Sequence, residues 1–351
     1  MLIKGVLNKS DTVFFKGIAI LMIVFHNYFH SKEGYGIENE QSFNSENIFN
    51  FINYLKTYDV ETWIYALFAF LGHYGVQIFI FLSAYGLTVQ YQQKKESALR
   101  FILLRLRKIY YLLFFGILFC IIFEWYIGNP YSLYDILKKS FLLGTSMSSF
   151  TEWYLYAMFA GPFWFFALVI QLYVLFPLLY HITCRFTEKN IWILFIITYG
   201  MIYLLYYILL SSHFTILGNV FGHLPEVFLG ISMAHFKVVN FSRLTIVLAA
   251  ILFVGSQFFE FLFPISFLAA TIVLFSTIKF LQKILSAKIR GFVHFVGVIS
   301  MILFIVNGRF RWLPFFGEIS ILHALVYIPI LFLLSYLIYK MYEFGQKKLK
   351  I

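Results

Sequence analysis

With 351 residues, 61% of them hydrophobic and 12% charged, and a mean hydropathy of +0.83, the chain lies far outside the range of ordinary soluble domains. Apolar runs near or above the roughly 20 residues that cross a bilayer recur along its whole length, which excludes a sizeable soluble domain. The net charge of +11 would suggest a nucleic-acid partner in a soluble protein. Here the basic residues cluster beside apolar spans, where the positive-inside effect and anionic headgroups account for them, and nucleic acid is excluded as a partner.

The expected fold is all-α: a polytopic membrane bundle of about ten spans, forming one domain over residues 1–351. The spans begin near Val13, Gly72, Ile109, Phe163, Ile191, Leu217, Leu244, Leu262, Gly291 and Ile319. No small-residue cleavage site follows the first run, Val13 to Phe29, so it reads as a retained span and not a signal peptide. A polar loop covers residues 30–65, and 131–160 is a mixed, amphipathic or interfacial stretch.

Lys and Arg set the orientation. Lys94, Lys95, Arg100, Arg105, Arg107 and Lys108 place the loop at about 90–108 in the cytoplasm. Alternation then puts Arg185 with Lys189, Lys237 with Arg243, the Lys279 to Arg290 stretch and the tail on the same side, with both termini inside a cell membrane. The acid-rich first loop falls outside. Lys138, Lys139, Arg309 and Arg311 also fall outside, against the trend, which invites a functional reading. No internal repeat is visible, which lowers the case for common secondary-transporter plans.

Lys16 and His26 are the strongest chemical signal. Nine residues separate them on one apolar helix, about 15 Å apart, with Lys16 towards the cytoplasm and His26 in the outer half. Ionisable groups are costly in lipid and point to intramembrane chemistry. Lys16 can also simply snorkel to the inner interface. His26 can make an interhelical hydrogen bond, or remove and return a proton near neutral pH.

Other sites carry two readings each. Glu226, beside Pro225 at the start of a span, satisfies a helix N-terminus or orients His26 as a carboxylate partner. Arg309 and Arg311 anchor at the membrane surface or hold an anionic lipid-linked glycan. Trp153, Trp164 and Trp312 form an interfacial belt or stack on a sugar. His30, His73, His223 and Asn307 also map near outer span ends, and His223 joins Trp164, Arg309 and Arg311 as a candidate substrate contact. Ser83, mid-span, reads as a packing hydroxyl. Cys120 and Cys184 are isolated thiols with no metal spacing, and no metal site is expected. No Gly-x-Ser-x-Gly elbow, His-Glu-x-x-His pair or glycosidase-type carboxylate pair is present, which argues against serine hydrolases, zinc proteases and glycosidases.

Five segments in order resemble the membrane acyltransferases called acyltransferase family 3, many of which O-acetylate surface sugars. They are Lys16 to His26; Tyr74-Gly-Val-Gln-Ile-Phe-Ile-Phe-Leu-Ser83-Ala84-Tyr85; Arg100-Phe-Ile-Leu-Leu-Arg105-Leu-Arg107-Lys108; Trp164-Phe-Phe-Ala-Leu-Val-Ile-Gln171-Leu-Tyr173-Val-Leu-Phe-Pro177; and Leu224-Pro225-Glu226-Val-Phe-Leu-Gly230. The sequence departs from the pattern at Ala84 for Gly, at Lys108 for Arg, at Tyr111 for Pro and at Asn307, where a His often ends the segment. Asn307 can hydrogen-bond but cannot act as a base, so His26 is the expected base.

The resemblance implies an O-acyltransferase, O-acetyl in the first instance. It would move an acyl group from cytoplasmic acyl-CoA to a hydroxyl of an extracytoplasmic polysaccharide or lipid-linked glycan, with no permanently bound cofactor. It favours Lys16, Arg105, Arg107 and Lys108 as contacts for coenzyme A phosphates over a purely topological role. His26 would act as base or acyl carrier, Glu226 would orient it and Asn307 would bind the oxyanion. The competing readings are a polysaccharide or lipid-linked-sugar transporter or polymerase, and a catalytically silent relative in an envelope assembly.

Overall fold

The computed structural model describes residues 5–93, 96–145, 159, 161–209, 216–310 and 319–349. Among these the chain is predominantly helical, with no β-strand element. The helices are α1 (Lys9–Phe29), α2 (Ser45–Leu55), α3 (Val60–Leu71), α4 (Gly75–Gln93), α5 (Ala98–Tyr126), α6 (Leu133–Gly144), α7 (Trp164–Thr183), α8 (Trp192–Leu209), α9 (Leu224–Phe236), α10 (Arg243–Phe258), α11 (Ser266–Ile284), α12 (Ala287–Val298), α13 (Ser300–Phe310) and α14 (Ile321–Leu349).

Side-chain caps explain many of the starts. Asn8 and Asp11 form a reciprocal capping box on α1, the Asp11 amide donating to Asn8 Oδ1 at 2.8 Å and the Asn8 amide to Asp11 Oδ2 at 3.1 Å. Asp59, Ser97, Ser132, Ser242 and Ser286 cap α3, α5, α6, α10 and α12 in the same way from one side.

Each of the ten expected spans has a helical counterpart, but they are not equivalent. Among the described residues, seven elements are long and apolar enough to cross a membrane. An eighth is α12 plus α13, bent by 74° around Ile299. The remaining two, α9 with 13 residues and α10 with 16, are short. The second span also starts earlier than expected. α3 runs through the turn Gly72–Tyr74 into α4, so the element covers Val60–Gln93, and the polar loop before it contains α2.

α1 is the central helix, packed against α3, α4, α11, α12 and α13. Its closest crossing is with α12, where each helix offers a glycine to the other's backbone. A Cβ on Gly17 would collide with the Val293 carbonyl, and one on Gly297 with the Val13 carbonyl. Small residues of this kind let helix backbones meet in lipid. α8, α10 and α14 lie at the perimeter and turn Ile196, Ile197, Val247, Ile251, Leu325 and Leu333 outward.

Residues 216–220, ahead of α9, depart from regular α-helix while staying buried in the protein. Ile216, Leu217, Gly218, Asn219 and Val220 are buried around a single 3-10 turn. Gln171 of α7 holds it by accepting the Val220 amide at 3.0 Å. Burial by surrounding protein is what allows irregular backbone inside a membrane bundle.

Candidate active site

His26 lies in the last turn of α1, buried to 5% exposure. Gly72 packs directly on it: a Cβ there would come within 2.6 Å of the His26 Cβ and of the Met22 carbonyl oxygen. The α3–α4 junction therefore sits against the imidazole only because residue 72 has no side chain. The ring is oriented by the end of α3, with Nδ1 3.0 Å from the Ala69 carbonyl and 3.3 Å from that of Phe68. A carbonyl oxygen only accepts, so Nδ1 carries the proton and Nε2 holds the basic lone pair.

Two further imidazoles surround it. His30 stacks on His26 with ring centroids 5.2 Å apart, and His73 meets it edge-on at 5.5 Å. His30 in turn contacts Glu38, Nδ1 to Oε2 at 3.0 Å. The loop carrying Glu38 is held by Asn47 of α2, whose amide donates to the Glu38 carbonyl and to Asn39 Oδ1, both at 2.8 Å. Burial pushes the Glu38 carboxyl up, but the His30 hydrogen bond and the charges of His26 and His30 outweigh it, and the net direction is down. Glu38 is thus the carboxylate coupled to the His26 cluster. The sequence offered it only as one of several acids in a polar loop, since no periodic spacing links it to α1.

The imidazole placed against Glu226 is His223, a pairing the sequence reading, which set Glu226 beside His26, did not include. Glu226 Oε2 lies 3.9 Å from His223 Nδ1, and both side chains are buried. His223 donates from Nε2 to the Leu217 carbonyl at 2.9 Å, which leaves Nδ1 facing the carboxyl group. Trp164 stacks on His223 at 6.3 Å, so two candidate substrate residues do come together. Neither Glu226 oxygen has a hydrogen-bond partner among the described residues.

Asn307 is fully buried on α13. Its Oδ1 accepts from the Tyr327 hydroxyl at 2.6 Å, while its Nδ2 has no hydrogen-bond partner among the described residues. Tyr327 stacks on Tyr28, two residues after His26, at 4.7 Å. Tyr327 therefore orients the amide as a donor, the role an oxyanion requires.

The proposed coenzyme A contacts divide. Lys16, Lys108, Ser83 and Tyr173 line one cavity of ≈190 Å³ between α1, α4, α5 and α7, with Met301 and Tyr342 closing it. Among the described residues no carboxylate lines it. Arg105 lies beside it: its guanidinium donates to Gln90, sits over the Phe101 ring at 4.9 Å and faces Tyr173 electrostatically. Arg107 points elsewhere, donating to the Leu349 carbonyl at 2.9 Å near the end of α14, so it is removed from the set that lines the cavity.

Arg309 is likewise engaged within the protein, against the expectation of a glycan contact. Nη1 pairs with Glu124 at 3.0 Å, Nη2 donates to the Tyr131 hydroxyl at 2.8 Å, and Nε donates to the Phe159 carbonyl at 2.6 Å. Burial pushes the Tyr131 phenol up to about 12, so it stays a neutral acceptor for this donor. Arg311, Trp153 and Trp312 lie outside the described residues.

The arrangement is a helical bundle whose first helix carries a buried imidazole, His26, and lines a cavity through Lys16. The family described as acyltransferase domain, acyltransferase family 3, matches residues 14–340, and the chain belongs to that family. No curated protein and no solved structure matches the chain.

Proposed function

We propose that this membrane acyltransferase moves an acyl group, acetyl in the first instance, from cytoplasmic acyl-CoA to a hydroxyl of an extracytoplasmic polysaccharide or lipid-linked glycan. The observation that carries this reading is the convergence of two ammonium groups, Lys16 and Lys108, in a cavity without a carboxylate, on the helix that also bears His26. Two cationic side chains lining one cavity suit the phosphates of coenzyme A, which cannot enter hydrocarbon unneutralised.

His26 Nε2 takes the proton of the acceptor hydroxyl as that oxygen attacks the thioester carbonyl carbon. The carbon–oxygen bond forms, the carbon–sulfur bond breaks, and coenzyme A leaves as the thiolate that the same proton can later neutralise. Asn307 Nδ2 is a suitable donor to the oxyanion formed in between. Glu38, through His30, stabilises the positive charge that develops on the His26 cluster. Trp164, His223 and Glu226 offer a stacking face and hydrogen-bonding groups to a sugar. In the alternative route His26 itself carries the acyl group as an acyl-imidazole.

The test uses membranes with the wild-type chain or His26→Ala at equal expression, incubated with acyl-labelled acetyl-CoA and acceptor glycan. Base-labile label on the glycan, present with wild type and lost in the variant, is the expected result. No label with acetyl, succinyl or longer donors would overturn the reading. Label trapped on the protein from donor alone would identify the acyl-imidazole route.

A further inference from the structure

A second cationic pocket lies between α10 and α11, and it shares no lining residue with the Lys16–Lys108 cavity. It encloses ≈420 Å³ and is lined by Arg243, Lys279 and Lys283, with Asn240, Ser276 and Phe280 among the remaining walls. Arg243 opens α10, while Lys279 and Lys283 are one turn apart on α11. No Asp or Glu lines the pocket. The carboxylate that acts on Lys279 is Asp11, and both of its oxygens are already bonded, one to the Gln282 amide at 2.9 Å and one to the Asn8 backbone in the α1 capping box.

Like charges one turn apart on a helix repel each other. Lys279 relieves part of this by donating to the Val239 carbonyl at 2.6 Å, which fixes its ammonium within the pocket. Arg243 and Lys283 make no hydrogen bond or ion pair among the described residues and are exposed. Three cations around one hollow whose described walls hold no carboxylate call for an anion with several acceptor oxygens.

The surroundings say which kind. Leu244 is 68%, Phe280 58% and Ile284 59% exposed, and they continue into the outward row Val247, Leu248 and Ile251 of α10. A polar, cationic hollow at the end of two helices thus opens beside a bare apolar face. We propose that this pocket binds the phosphate of an anionic phospholipid, with its acyl chains lying along the α10–α11 face. Phosphate oxygens pair with Arg243, Lys279 and Lys283, and Phe280 supports the glycerol region.

The full-length chain, purified in mild detergent, is mixed with phosphatidylglycerol or with phosphatidylcholine, and retained lipid is counted by native mass spectrometry. Wild type is expected to keep phosphatidylglycerol in preference to phosphatidylcholine. At about 1 kcal/mol per cation, Arg243→Gln with Lys283→Gln should weaken phosphatidylglycerol retention roughly 30-fold and leave phosphatidylcholine unchanged. Both substituted residues are exposed and unbonded within the protein, so the fold is retained. Arg243→Lys with Lys283→Arg, which preserves the charge, should restore retention. Equal retention by wild type and the neutral variant overturns the proposal. So does radiolabelled inorganic phosphate bound as tightly as phosphatidylglycerol, which would make this a free-phosphate site.

Discussion

The Nδ1 of His26 lies 3.0 Å from the carbonyl oxygen of Ala69, so the last turn of α3 chooses the tautomer of the proposed base at the end of α1. That contact depends on Gly72, the residue that follows α3 and rests on the His26 Cβ. Gly72→Ala places a methyl group 2.6 Å from both the His26 Cβ and the Met22 carbonyl, and the helix junction must withdraw. Displacement of a catalytic group by about 1 Å costs on the order of 100-fold in rate. Gly72→Ala should therefore lower kcat by that order while the KM for acyl-CoA changes little, because the cationic cavity is elsewhere on α1. Steady-state kinetics at equal protein levels check this.

The cavity makes a prediction that separates three neighbouring cations. Lys16→Gln and Lys108→Gln should each raise the KM for acyl-CoA about tenfold, the value of one charge-assisted hydrogen bond. The double variant should lose less than the product of the two, since both groups serve the same phosphates. Arg107→Gln should leave KM within about twofold, because its guanidinium is turned to the Leu349 carbonyl. Equal effects from all three would return Arg107 to the donor site and the basic run to a uniform electrostatic role.

Much of this could be read from sequence because it is local. The run around Lys16 and His26, the apolar spans and the caps at Asn8, Asp59 and Ser97 are each set by residues within a few positions of one another. Trp164 and His223 were each legible as candidate substrate contacts near span ends, though not as neighbours. The partnerships across the bundle were not. Glu226 looks like the natural carboxylate for His26 because it begins a span on the same side, yet the backbone turn at 216–223 presents His223 to it. Glu38 reaches His30 by a loop that α2 ties down through Asn47, and a polar loop's sequence does not say which acid folds back. Arg309 was legible as an outlier in the charge pattern, but its partner Glu124 is on α5, 185 positions earlier in the sequence. The 74° bend at Ile299 has no proline to announce it.

The His30–Glu38 pair predicts a pH dependence. Glu38 is held below the usual carboxylate range, so its stabilising contribution is present above an unfolded value of about 4.3 and is lost as pH falls through the lower folded value. Between pH 5 and 8 the carboxylate stays charged and supports the cationic form of the cluster. Glu38→Gln removes that charge, so the acid limb of the kcat/KM profile should move to lower pH while the plateau falls about tenfold or more. A profile of unchanged shape, with only a lower plateau, would reduce Glu38 to a loop anchor.

Arg309 provides the sharpest contrast between a glycan contact and an internal strut. Its partner Glu124 is 4% exposed at the side chain, and α13 carries both Arg309 and Asn307. Arg309→Met removes the paired cation from the buried Glu124 carboxylate and leaves it the Asn129 amide at 3.3 Å, which costs about 3 kcal/mol and should lower the melting temperature clearly. Glu124→Leu in the same chain removes the stranded charge, so the double variant should regain most of that stability. If Arg309 acts as a strut, acyl transfer follows stability: it falls in Arg309→Met, recovers in the double variant, and the KM for the acceptor glycan stays constant at temperatures where each form is folded. If it holds an anionic glycan, the acceptor KM rises in both variants and Glu124→Leu rescues nothing but the melting temperature. Paired thermal unfolding and acceptor-saturation curves distinguish the two. The geometry favours the strut, because all three guanidinium nitrogens are already engaged by Glu124, Tyr131 and Phe159.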